Sequence, residues 1–293
     1  VHARSRAPAW SCLIATKISR RKFVTTFHGT YNFNSKIKQF YNSVMVRSNL
    51  VIAGSNFIFS HIKENYSDYL TSNKRFLVIF RGINTDYFDP STTLESEEDD
   101  LFKSWQLEVG KKIILFPGRL TAWKGQIEFL NIIESFKNKK IIFYFIGDDK
   151  NQSYTKKLLK EIKDKGIEKN CKIFGHLSSK DLKMMYICSD LVISSPKKPE
   201  GFGRTIAESL LMKKIILAYN YGGAKEQLEG LNSIYKISPH DQDELKTKII
   251  KSLNFSKSYK EKLGIISRRH IIKNFSKQKM LDGYLKFYQK KFL

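Results

Sequence analysis

The run Pro199-Glu200-Gly201-Phe202-Gly203-Arg204-Thr205-Ile206-Ala207-Glu208 is a glycine-rich loop that turns into a helix. Gly201 and Gly203 allow the backbone to come close to a ligand. Ile206, Ala207, Leu210 and Leu211 share one face, and the spacing predicts a helix from Arg204 to Lys213. Glu200 then lies on the loop and Glu208 about one turn into the helix, so both carboxylates are expected to face one cleft. An ionised carboxylate can hold two vicinal hydroxyls, each bond worth roughly 1.5–3 kcal/mol, which is the recognition that sugar and ribose diols need. On the spacing alone a solvated pair of charges is the favoured reading, so the surroundings must decide.

The flanking segments read as strands, Leu191 to Ser194 before the run and Ile215 to Ala218 after it. The same rhythm extends in both directions. Phe23 to Phe27, Leu50 to Ala53 and Phe76 to Phe80 are short apolar runs separated by helical stretches, one of them capped by Ser55. Further along, Lys112 to Phe116, Ile141 to Ile146 and Lys172 to Phe174 read as strands. Trp123 to Phe136, Tyr154 to Lys165 and Ser179 to Cys188 read as helices, and helices fill most of 242–292. Strand and helix in alternation predict parallel sheets of the doubly wound α/β class, in two successive sets with a cleft between domains. The acidic, aperiodic stretch from Ser91 to Asp100 reads as the linker.

The chain's 293 residues suffice for two ordinary domains, and at 41% hydrophobic it can bury a core. No apolar run approaches the roughly 18 residues that span a bilayer, and no secretory pattern opens the chain. A first residue of Val rather than Met fits a fragment, a partial reading frame or a processed form. Cys12, Cys171 and Cys188 lie far apart with no metal or redox spacing, as expected of buried thiols in a reducing compartment. Formal net charge is +24; residues 1–90 carry 13 Lys and Arg against 4 acids, and residues 257–291 carry 11 against 2. Such an excess implies an anionic partner: a membrane surface, a nucleic acid or a phosphorylated substrate. No helix-turn-helix, zinc or RNA-recognition signature accompanies it, so nucleic acid is not expected.

A second motif follows the strand at 112–116. In Pro117-Gly118-Arg119-Leu120-Thr121-Ala122-Trp123-Lys124-Gly125, two cations flank a tight turn just ahead of a helix, an arrangement suited to a diphosphate. Lys124 precedes Gly125 rather than Ser or Thr, which excludes a Walker A loop. Two surface cations remain the alternative. Gly222-Gly223-Ala224-Lys225-Glu226 is another glycine loop after a strand, and His28 ends the strand in Thr25-Thr26-Phe27-His28-Gly29-Thr30. A lone histidine is also commonly a satisfied structural residue. No Asp-x-Asp motif stands at a strand end.

Taken together, Glu200-x7-Glu208, the Gly118-Arg119-Leu120…Lys124-Gly125 run and the Thr26-Phe27-His28-Gly29 segment resemble the group 1 glycosyltransferases of family 4, retaining enzymes of the GT-B fold. The resemblance runs nearly end to end. It implies an N-terminal, acceptor-side Rossmann-like domain at 1–90, only partly present. A linker at 91–104, a nucleotide-sugar-binding domain at 105–275 and a final helix at 276–293 returning towards the first domain would follow. By the same resemblance, Arg119 and Lys124, with Gly203 and Arg204, would grip the donor diphosphate. Glu208 would hold the ribose, Gly222 and Gly223 would add a phosphate loop, and His28 and Glu200 would act at the donor sugar. His176 would line the base pocket, and Arg4 or Arg6 would face an acceptor or phosphate. The implied activity is hexosyl transfer from a UDP- or GDP-sugar to a lipid-linked or cell-envelope saccharide such as lipopolysaccharide. It would need no metal and no cofactor, and would proceed in the cytoplasm, peripherally on the inner face of an anionic membrane. The alternatives are a truncated, inactive nucleotide-binding remnant and a basic nucleic-acid-binding protein.

Overall fold

The computed structural model describes residues 1–31, 35–70, 75–92, 105, 107–108, 110–149 and 152–292. From residue 93 onward, the stretch read as a linker lies almost wholly outside the described residues. The chain forms two compact units. Unit 1 comprises Val1–Gly82, Pro199–Gly203 and Phe275–Leu293; unit 2 comprises Ile83–Lys198 and Arg204–Asn274.

Unit 1 is a parallel sheet in the order β1 (His2–Ala3), β2 (Val24–Phe27), β3 (Leu50–Ala53) and β4 (Arg75–Val78). Helices α1 (Arg6–Ile18), α2 (Lys36–Ser43) and α3 (Asn56–Asn65) connect the strands. Ser55 caps α3 by accepting the Ile58 amide at 3.1 Å. The β2 side chains are buried throughout, as in a sheet covered on both faces. Its two threonines are satisfied there: Thr25 donates to the Met45 carbonyl at 2.6 Å, and Thr26 lies 2.7 Å from His2 Nε2. On one face Val24, Leu50, Ile52 and Ile79 pack against Phe287 of the C-terminal helix α11 (Lys277–Phe292), with Tyr284 and Tyr288 alongside. The sequence reading missed β1 and α1, because a two-residue strand shows no period and α1 is apolar on more than one side.

Unit 2 is a six-stranded parallel sheet built from β5 (Lys112–Pro117), β6 (Ile141–Ile146), β7 (Cys171–Phe174), β8 (Leu191–Ser194), β9 (Ile216–Tyr219) and β10 (Lys236–Ile237). The spatial order is β7-β6-β5-β8-β9-β10. Counted within the unit this is 3-2-1-4-5-6, whose direction reverses between β5 and β8, and ligands of such sheets bind beyond the strand ends at that reversal. The helices are α4 (Gln126–Glu134), α5 (Ser153–Asp164), α6 (Ser179–Cys188), α7 (Arg204–Leu211), α8 (Gly223–Leu228), α9 (Gln242–Leu253) and α10 (Lys257–Phe275).

Two helices differ from their sequence reading. The helix expected from Trp123 begins as a single tight turn at Ala122–Lys124, and α4 starts only after Gly125, whose φ of 85° breaks the helical path. The helix expected to reach Lys213 ends at Leu211. Lys213 adopts a φ of 57° in the place usually taken by glycine, and the Lys214 amide closes the turn on the Ser209 carbonyl at 2.9 Å. No helix of the described residues is long and apolar enough to cross a membrane.

Candidate active site

In unit 2 three loops meet at the carboxyl ends of β5, β8 and β9. The loop after β5 is fastened to β6 by Gly118 N–H donating to the Ile146 carbonyl (2.8 Å) and Leu120 N–H to Asp148 (3.0 Å). It is fastened to the β8 loop by Lys197 N–H donating to the Trp123 carbonyl at 2.7 Å. Gly125 packs so closely on the Ser195 carbonyl that any Cβ would collide with it, so position 125 admits only glycine on two counts. The β9 loop joins through Tyr221, whose hydroxyl donates to the Pro196 carbonyl. Gly222 follows at φ 57°, and Gly223 is the first residue of α8.

This framework presents Arg119 and Lys124. Both use one ring as a platform: the Lys124 ammonium lies 4.7 Å from the centre of Trp123 and the Arg119 guanidinium 5.9 Å. The Lys124 stem also runs beside Gly118, where no side chain intervenes. Trp123 was missed as a site residue, although an aromatic placed directly before Lys124 was a visible signal. The arrangement concentrates positive charge at the sheet's reversal point, as an anion site requires.

Helix α7 begins with Arg204 and carries Glu208 one turn on. Glu208 is 4% exposed. Its carboxylate accepts from Arg204 at 2.9 Å and from the Tyr186 hydroxyl at 3.1 Å. Burial raises the Glu208 pKa, against the pull of Arg204 and Tyr186. Arg204 and Glu208, expected to serve diphosphate and ribose separately, are thus an ion pair, and the fully buried Tyr186 orients it. Nothing in the sequence spacing pointed to Tyr186. Thr205 ties the helix back to β5 by donating to the Pro117 carbonyl at 3.4 Å. His176 is exposed beyond the edge strand β7.

Glu200 and Glu208 fall in different units, Glu200 with unit 1 and Glu208 with unit 2. Within unit 1 the Glu200 loop lies against the end of β2: a Cβ on Gly201 would stand 2.6 Å from the His28 carbonyl. Phe202 anchors the loop, buried at 6.0 Å from the Phe275 ring, which in turn meets Phe80 at 5.3 Å. The structure therefore brings His28 and the Glu200 loop together. Arg4, at the end of β1, donates to His28 Nε2 at 3.3 Å, and Arg81 follows β4. Arg6, in contrast, turns to Asn42 at 2.8 Å and to the Tyr31 ring at 4.5 Å.

Burial, then Arg81, Arg4 and His2, lower the His28 pKa from 6.5 to about 4. The imidazole is therefore neutral at pH 7, and with Nε2 accepting from Arg4, the proton resides on Nδ1. That Nδ1 is buried without a hydrogen-bond partner among the described residues. The depressed value fixes a pH response. Between about pH 6.5 and 4 the unfolded chain takes up a proton that the folded chain refuses, so stability falls as pH drops through that window. His2, also lowered to about 4, acts in the same direction. Thermal unfolding of unit 1 is expected at progressively lower temperature from pH 7 to pH 4, and His28→Asn should flatten the slope; an unchanged slope in the variant would refute the assignment.

Two family descriptions match the chain: "Glycosyl transferases group 1" over residues 97–274 and "Glycosyltransferase Family 4" over residues 1–87. A glycosyltransferase crystal structure from Rickettsia africae superposes with a TM-score of 0.87 at 35% identity, covering 99% of this chain and 76% of that one. Anabaena HepE, solved with UDP-glucose, superposes with a TM-score of 0.81 at 21% identity, covering 99% and 78%. Spore coat protein SA of Bacillus subtilis is 24% identical over 300 residues, 99% of this chain and 78% of that protein.

Proposed function

The chain belongs to the group 1 glycosyl transferases, with a two-sheet α/β GT-B fold, and on that premise we propose that it moves a hexose from a UDP- or GDP-linked donor to a lipid-linked or other cell-envelope saccharide. The observation that carries the reading is the laced loop at the reversal point of unit 2, with Arg119 and Lys124 side by side on Trp123. Two fixed cations there match the two phosphates of a sugar nucleotide and stabilise the negative charge that grows on the leaving diphosphate. Arg119 and Lys124 supply this charge from the protein itself, and the reaction we propose uses neither metal nor cofactor. HepE was solved with UDP-glucose, which favours uridine among the bases.

The remaining residues take roles that suit their chemistry. Glu208, oriented by Tyr186 and Arg204, accepts the ribose hydroxyls; the amide of Gly203 and the loop at Gly222 and Gly223 add donors towards phosphate. Glu200 accepts hydroxyls of the donor sugar, and the unpartnered Nδ1–H of His28 donates to one. Anomeric configuration is retained without a protein nucleophile: the acceptor oxygen bonds to the anomeric carbon on the face that the diphosphate leaves, and its proton passes to the departing phosphate oxygen. The acceptor is met at the inner face of an anionic membrane.

The test is a screen of UDP- and GDP-sugars with bacterial lipid extract as acceptor, reading nucleotide-sugar binding and nucleotide release together. One donor is expected to be bound and turned over. Glu200→Ala should abolish release while sparing the nucleotide, and Glu208→Ala should weaken nucleotide binding itself. Binding without release in the unaltered chain would favour a nucleotide-binding remnant, and absence of binding would sink the proposal.

A further inference from the structure

We propose that unit 2 carries a second ligand site, at the amino ends of β5, β8 and β9, that takes a small organic phosphate, with its charge on Lys213 and Lys257 and its carbon body on Ile187, Leu253 and Phe255. This site is independent of the transferase reading. A cavity of about 800 Å³ opens there, a volume usual for small-molecule sites. Lys112 starts β5, Asp190 precedes β8 and Ile215 precedes β9, and all three line it. The length of β5, six residues or about 20 Å, separates the cavity from the loop of Arg119 and Lys124. Five lysines and two acids line it. Three of the lysines have structural partners. Lys112 pairs with Asp190 at 2.9 Å, and the second oxygen of Asp190 accepts the Ile113 amide at 2.9 Å. Lys214 donates to the Ile187 and Ser189 carbonyls at 2.7 and 2.9 Å, and Lys260 to the Leu253 carbonyl at 3.2 Å, so they close the ends of α6 and α9. Carbonyls leave the charge of an ammonium uncancelled. Burial, with Lys112 beside it, lowers the Lys260 pKa against the pull of Asp190. Of the other acids, Glu261 is exposed on α10, and Asp89, within the field of Lys213, is held by Arg268.

Lys213 and Lys257 have no such partners. Both are exposed, and neither side chain makes a hydrogen bond or ion pair among the described residues. Each also breaks a local preference. Lys213 holds a φ of 57°, which is costly for a lysine. The turn is set by α10, since a Cβ on Gly264 would stand 2.6 Å from the Lys213 carbonyl. Lys257 opens α10, whose first turn holds no acid, so Lys257 and Lys260 lie at the positive end of the helix dipole, where anions are favoured. Natural chains break such preferences where function asks for it. One polyanion relieves the repulsion among these ammonium groups and the helix end together, and lysine is a common point-charge partner of phosphate. The half-buried Ile187, Leu253 and Phe255 offer nothing to bare phosphate and remove a carbon body from water. Met212 to Lys214 form the turn that closes α7, so the occupant rests against the end of the helix that bears Glu208.

The experiment is titration calorimetry of the full chain with phenyl phosphate, inorganic phosphate and phenol, with UDP- and GDP-sugar binding measured alongside. Phenyl phosphate is expected to bind, and inorganic phosphate and phenol each about tenfold more weakly or less. Lys213→Asn combined with Lys257→Glu should weaken phenyl phosphate by about tenfold. Arg119→Ala combined with Lys124→Ala should leave this site able to fill. Asparagine tolerates the left-handed backbone at 213 and Lys257 is exposed, so the first pair keeps the fold, which circular dichroism checks. No binding of phenyl phosphate, equal binding of inorganic phosphate or of phenol, full binding by the Lys213 and Lys257 variant, or loss confined to the Arg119 and Lys124 variant would each overturn the proposal. Absence of sugar-nucleotide binding in the unaltered chain counts against the transferase reading alone.

Discussion

Lys124→Ala is expected to slow sugar transfer by about a hundredfold, equivalent to about 2.7 kcal/mol of barrier. The ammonium is held over Trp123 at 4.7 Å by a loop fastened by three backbone hydrogen bonds, so little reorganisation is needed when charge builds on the leaving diphosphate. An interaction that strengthens in the transition state lowers turnover more than it raises KM. Lys124→Arg should recover part of the rate, because charge is kept while the shape changes. Trp123→Ala, which removes the platform and no charge, should fall between the two. Steady-state kinetics on the donor chosen by the screen decides the matter: an unchanged rate in Lys124→Ala would remove Lys124 from the diphosphate site, and a pure KM effect would reduce its role to ground-state binding.

Arg268→Ala is expected to destabilise unit 2 by about 2–3 kcal/mol. Arg268 lies on α10, mostly buried, and donates to four acceptors: the carbonyls of Phe88 (2.6 Å), Leu211 (2.8 Å) and Thr85 (3.4 Å) and the Asp89 carboxylate (2.6 Å). It therefore fixes the segment 85–89 to the end of α7, the helix that bears Glu208. Although burial works the other way, the Ser91 amide and hydroxyl and Arg268 keep the Asp89 carboxyl below its usual pKa. Deleting the guanidinium takes this donor from three carbonyls, while the Asp89 carboxylate keeps its bonds from Ser91. Arg268→Lys keeps the charge but cannot reach them together, and should lose about half as much. Denaturant titration followed through unit 2 gives the comparison; a loss below about 1 kcal/mol would mean that the acceptors find water instead.

The same residue illustrates what the sequence leaves concealed. Counted along the chain, Arg268 belongs to the basic stretch at 257–291 and speaks for an anionic partner. In the fold its charge is consumed internally. The strands were legible because Ile113 to Phe116, Leu191 to Ser194 and Ile216 to Ala218 are compact apolar runs ending at turn residues, and buried parallel strands need just that. Arg119 and Lys124 stood out because cations flank a turn between strand and helix. The Tyr186–Glu208 bond was illegible, since it joins two helices through tertiary packing with no local signature. Membership of Pro199–Gly203 in unit 1 was hidden for the same reason: it depends on Phe202 meeting Phe275 and on Gly201 meeting His28.

That interrupted membership bears on the order in which the protein is made. Residues 1–82 emerge from the ribosome before unit 2, yet the face of their sheet formed by Val24, Leu50, Ile52 and Ile79 is covered by Phe287, which follows unit 2 in the chain. Unit 2, complete once Asn274 has emerged, is assembled while the earlier unit still lacks its cover. The nascent chain therefore carries an open apolar sheet face until α11 has been made, and chaperone dependence in vivo should track α11 rather than the length of the chain.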